Sequence, residues 1–443
     1  MTTQDHHGLD TSGATSRGLD IYSEALRAFN CYRGDPVAII DKALEIEPNF
    51  AMGHILRGHL HASLWEKSVV PEVEQTIGRL KGLADDCNDR ERRHTHALQQ
   101  WAAGDWDGAR STLERLSAEY PRDLLALQMG HLCDFFLGDR ENLRGRIARA
   151  LPDWTREDPG YPFLLGMLAF GQEECGAYAI AEETGRHALE LEAEDCWAHH
   201  AVTHVLEMQC RQAEGIAFMA SREKHWAQPD NAFMFHNWWH NALFHLDQGN
   251  PEGALEIYDR GVRAEKSEFQ LMLLDASALL WRLHLQNVDV GDRWSELADR
   301  YAADDEAGYY AFNDAHAMLA LVASGREVEA KERLEAVASA ARDATTNARM
   351  SSEVGLGVAR GIYAFGTGDY AGAVDLLLPL RNRTHTFGGS HAQRDVFHRT
   401  LIEAATRAGD TGLARALIRE RCALRPECPF TWKLAREVEA RSA

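Results

Sequence analysis

The chain has no long hydrophobic run. Nowhere among its 443 residues does a window approach the roughly 18 uninterrupted apolar residues of a bilayer span. It is also short of positive charge, with 47 Lys and Arg against 68 Asp and Glu and a net charge of −21. As a whole it therefore lacks the basic footprint that nucleic acids and anionic membrane surfaces need. Its eight cysteines form no CxxC pair, which fits scattered reduced thiols in the cytoplasm and not a disulfide framework. Prolines number only 12, and no stretch alternates with the period of two that strands require. The polar lead MTTQDHHGLDTSGATSRG has no apolar core of a secretory signal, and residues 1–17 read as a disordered segment.

A repeated phrase is abundant instead: glycine, usually with Asp or Asn, then alanine at the start of an amphipathic helix. Copies begin at Gly34, Gly104, Gly138, Gly176, Gly249, Gly325, Gly368 and Gly409. With Gly215 taken as a further member, the steps 104→138, 138→176 and 215→249 are 34 to 38 residues. That is the period of tetratricopeptide helical hairpins, in which glycine ends the first helix in a left-handed cap and alanine lets the second pack closely. The expected fold is all-α, an α-solenoid of such hairpins with a concave central groove. With no linker-like stretch to divide it, residues 18–440 read as a single superhelical array.

In such an array the first helix of each hairpin faces the groove, and these helices carry ionisable residues in apolar surroundings. WAHHAVTHVLEM holds His200, His204 and Glu207, while FMFHNWWHNALFHL holds His236 and His240. An i, i+4 spacing puts two imidazoles on one face, about 40° apart, and Glu207 returns about 20° to the other side. Later helices add Asp275, then Asp314 with His316, then His391 with Asp395. His94 and His96 point apart at i, i+2 and read as surface residues.

The strings HNWWHNALFHLDQGN, LLDASALLWRLHL, FNDAHAM and FGGSHAQRD resemble the tetratricopeptide repeat protein 38 family, as does RGDPVAIIDKALEIEPNFAMGHILRG near the start. The resemblance covers nearly the whole chain. It implies the helical-repeat fold and carries no biochemical role with it.

Four histidines on neighbouring helices, His200, His204, His236 and His240, could share one divalent metal such as zinc, manganese or iron. Glu207, Asp275, His391 and Asp395 are the candidates for acid–base work beside them. Trp238, Trp281, Arg282, Asp314, His316, Gln393 and Arg394 are the candidates for holding a small-molecule ligand. HExxH is absent, and a mutually hydrogen-bonded polar groove without metal stays open. The reading is a small-molecule-binding protein, with hydrolase- or lyase-type chemistry, metal-dependent or acid–base, as its enzymatic form. The alternative is a scaffold that binds a partner peptide in the groove.

Overall fold

The computed structural model describes residues 2–440 and is built almost wholly of paired helices. The repeat phrase does what its residues dictate. At Gly104, Gly138, Gly176, Gly249, Gly325, Gly368 and Gly409 φ lies between 69° and 85°, the left-handed region that ends one helix. Asp105, Asp139, Asn250, Asp369 and Asp410 follow directly, each accepting a hydrogen bond from a first-turn amide of the next helix. Five positions after the glycine, Ala109, Ala181, Ala254, Ala330, Ala373 and Ala414 are fully buried, so the hairpins close on a methyl group.

One turn departs from this reading. Between the helices Cys196–Met208 and Gln212–Trp226, Cys210 takes the left-handed position with φ 57°. Gly215, read as the turn glycine, is instead the small buried residue five places on. A Cβ there would sit 2.4 Å from the Phe244 ring.

The helices pack into two compact units: residues 2–202 with 225–233, and residues 203–224 with 234–440. In the first, the segment expected to be disordered begins with an antiparallel ribbon, Thr2–Gln4 against Asp10–Ser12. Long-range contacts hold it. The Ser12 amide donates to the Glu91 carboxylate at 2.8 Å, and the Arg90 guanidinium donates to the Asp10 carbonyl at 2.9 Å. His94, expected at the surface, is buried: its Nε2 lies 2.9 Å from Asp123 and its Nδ1 3.0 Å from His59.

In the second unit, helices Met234–Asp247, Gln270–Leu285, Ala311–Ala323, Leu356–Gly366 and His391–Arg407 follow as the first members of their hairpins. Gln270–Leu285 also packs directly on His391–Arg407. Trp281 Nε1 donates to Thr400 Oγ1 at 2.9 Å, and Arg282 donates to the Ala392 carbonyl at 2.6 Å. This contact between non-consecutive hairpins buries polar side chains that an open array would leave to solvent. Among the described residues no helix is long and apolar enough to cross a membrane. All eight cysteines are free.

Candidate metal and ligand site

The site in the second unit is built from three helices. Cys196–Met208 supplies His204 and Glu207, Met234–Asp247 supplies His236 and His240, and Gln270–Leu285 supplies Asp275. All five side chains are buried. His236 Nδ1 lies 2.6 Å from Asp275 Oδ2, and His240 Nδ1 lies 2.8 Å from Glu207 Oε2. Each carboxylate accepts the Nδ1 proton of its imidazole, which leaves both Nε2 atoms as acceptors. Those two atoms face one another at 3.2 Å. Two lone pairs at that separation repel unless a cation lies between them, either a proton or a metal ion.

The donor set fits a metal. Ligand nitrogens at about 2.0–2.1 Å from a tetrahedral ion stand about 3.3 Å apart. A carboxylate behind each histidine is the usual way of fixing a metal-binding imidazole. The His204 ring centroid is 4.6 Å from that of His240, and nitrogens of His204, His236 and His240 lie within 4.8 Å of one another. Burial raises the Glu207 carboxyl to about 7, against the opposing pull of Arg425 and His204. The His236 ring stacks on Trp239, centroids 5.3 Å apart.

No protein-family model matches the chain. Across 96% of its length it is similar to yeast Tom70, with 11% identity, 88% of that chain covered and a TM-score of 0.38. A human IFIT1 dimer with PPP-AAAA is similar over 97% of this chain and 96% of that one, at 11% identity and TM-score 0.45. The APC/C hetero-tetramer Cut9–Hcn1 is similar over 96% and 97%, at 11% identity and TM-score 0.35. The hairpins and their glycine turns decide the class. The fold is a tetratricopeptide-type helical repeat.

His200 belongs to the first unit, and its ring lies 4.9 Å from Phe170 and 5.2 Å from Phe233. The remaining candidate residues go elsewhere. Asp395 does not face His391. It accepts from Arg399 Nε at 2.6 Å and from Arg421, and although burial opposes its ionisation these guanidinium groups hold it well below the usual carboxylate range. His391 is half-buried, with Nδ1 3.3 Å from Arg394, whose guanidinium also donates to the Gly389 carbonyl. Gln393 closes a capping box with Ser390. Asp314 pairs with Arg333 at 3.2 Å, and His316 Nδ1 donates to the Phe312 carbonyl at 2.8 Å within an aromatic cluster.

Of the two adjacent tryptophans, Trp239 stacks on His236, while Trp238 lies under Arg260 at 5.0 Å. Trp281 is spent on Thr400, and Arg282 lies 5.4 Å over the Trp239 ring. Sequence reasoning chose Trp238 over its neighbour Trp239 and missed Asp247, Arg399, Arg421 and Arg425. The i, i+3 spacing of Trp239 from His236 could have selected it. Only the i, i+4 step from Asp395 to Arg399 is local, since other partners of these arginines lie up to 217 residues away.

Proposed function

We propose that the second unit binds a divalent metal ion through His204, His236 and His240, and that this centre serves a small-molecule ligand. The observation that carries the reading is the pair of Nε2 atoms facing at 3.2 Å, each on an imidazole whose Nδ1 is held by a buried carboxylate. Three nitrogen donors favour zinc or iron over manganese. Such an ion would supply Lewis-acid chemistry to a bound small molecule, the basis for hydrolase- or lyase-type activity. Asp275 and Glu207 hold the tautomers in which Nε2 carries the lone pair. We further propose membership of the tetratricopeptide repeat protein 38 family, on strings that include the HNWWH segment of this site.

The test is elemental analysis of protein produced in supplemented medium without chelator. About one zinc or iron per chain is expected in the wild type and none in His204→Ala/His240→Ala. A metal-free wild type overturns the metal reading. The proton is then the cation shared by His236 and His240, and the site is one of acid–base chemistry.

A further inference from the structure

Beside the histidines lies a second cluster that metal binding does not use. Arg282, Arg399, Arg421 and Arg425 are 1%, 5%, 2% and 4% exposed. The carboxylates around them are Asp247, Asp395 and Glu207. Arg399 donates to Asp247 at 2.8 Å and to Asp395, while Arg421 donates to Asp395 and to Thr431 at 3.0 Å. Arg425 reaches Glu207 only at 4.0 Å, with Met208 Sδ as its nearer contact. Arg282 touches no carboxylate: its acceptors are the carbonyls of Ala278 and Ala392. Three donors are left over, Arg282 Nε, Arg399 Nη1 and Arg425 Nη1, all buried and with no partner among the described residues.

Four guanidinium groups thus face three carboxylates and the Cys428 thiol, which the Cys210 thiol beside it draws below its ordinary value, in a water-poor interior. A buried cation without a counter-charge is expensive, and a helical core has no structural need of one. Burial and the neighbouring Arg399 push the Arg282 guanidinium down to about 10, as expected of a buried guanidinium with no carboxylate in contact.

We propose that Arg282, Arg399 and Arg425 form a binding site for a carboxylate group of the small-molecule ligand, an inference that rests on the histidine centre being the ligand site. A guanidinium fork matches a carboxylate in two-point contact. The three leftover N–H donors fall within the lone pairs of one carboxylate and would leave the oxygens of a phosphate dianion largely unfilled. The two clusters also adjoin. Glu207 reaches His240 with one oxygen and faces Arg425 with the other, and Trp239 lies between His236 and Arg282. A ligand held by its carboxylate at the arginines would present its neighbouring atoms to the histidines.

The experiment titrates the full chain with sodium acetate, inorganic phosphate and sodium chloride at constant ionic strength, reading the thermal midpoint and measuring metal content in the same samples. Acetate is expected to give a saturable rise that chloride does not, with at least a tenfold weaker effect in Arg425→Lys and Arg282→Lys, which keep the charge and lose the fork. Circular dichroism reports whether each variant folds. Should one fail to fold, the other variant and the anion order of the wild type carry the test. Acetate no better than chloride, or undiminished in the Lys variants, overturns the carboxylate site. A stronger effect of phosphate overturns the choice of anion. His204→Ala/His240→Ala separates the two readings: acetate binding that survives loss of metal supports the arginine site, and metal retained without acetate binding sinks it alone.

Discussion

Asp275 and Glu207 perform one task for two imidazoles, accepting the Nδ1 proton so that the opposite nitrogen carries the lone pair. Asparagine or glutamine would keep the shape and lose the charge. Asp275→Asn and Glu207→Gln are therefore expected to weaken zinc affinity about 10- to 100-fold, read by competition with a chromophoric chelator. Unchanged affinity in both would mean that the histidines are not metal ligands. His316 makes a different prediction. Burial pushes it down to about 3, against about 6.5 in an unfolded chain. Between those values the unfolded chain binds more protons, so its contribution to stability is complete above about 6.5 and is lost as pH falls toward 3. At pH 5 the loss is at most about 2 kcal/mol. His316→Leu should flatten the fall in thermal midpoint between pH 7 and pH 5, and an unchanged slope would refute that role. The local pattern made the histidine pairs visible, because i, i+4 spacing is a property of one helix. It could not separate His236 from His316, since the difference lies in which distant side chain meets the ring.

Each hairpin needs two small residues for different reasons, one for backbone conformation and one for packing. Gly249 has φ 82°, and an added Cβ would meet nothing within 4 Å, so Gly249→Ala isolates the backbone cost. About 1 kcal/mol is expected from forcing an L residue into the left-handed region. Gly215 lies inside a helix, and a Cβ would meet the Phe244 ring at 2.4 Å. Gly215→Ala should cost about 1–3 kcal/mol by overpacking. Urea midpoints read both. Gly215→Ala milder than Gly249→Ala would contradict the assignment of Gly215 to the packed position. The hairpins were legible because one phrase recurs. The exchange of roles at Cys210 and Gly215 was not, because the spacing of Gly215 from Gly249 equals a true repeat step.

At the scale of the molecule, the composition told the class and hid the partition. No glycine- or proline-rich linker marks the division, and the boundary after Val202 falls within the helix Cys196–Met208. The contact of Gln270–Leu285 with His391–Arg407 could not be read either, since it joins Arg282 to a carbonyl 110 residues away. These facts locate the response to ligand. His204, His236 and His240, their carboxylates and the arginine cluster all belong to the second unit. A ligand that binds only the folded state stabilises what it binds by RT ln(1 + [L]/Kd), about 2.7 kcal/mol at a hundredfold excess over Kd. Local openings draw on the stability of their own cooperative unit. Hydrogen exchange with and without zinc should therefore show slower exchange within residues 203–224 and 234–440, strongest along the helices Met234–Asp247 and Gln270–Leu285. Residues 2–190 should exchange as before. Protection spread evenly over both units, or confined to the first, would place the zinc elsewhere and remove the histidine centre as its site.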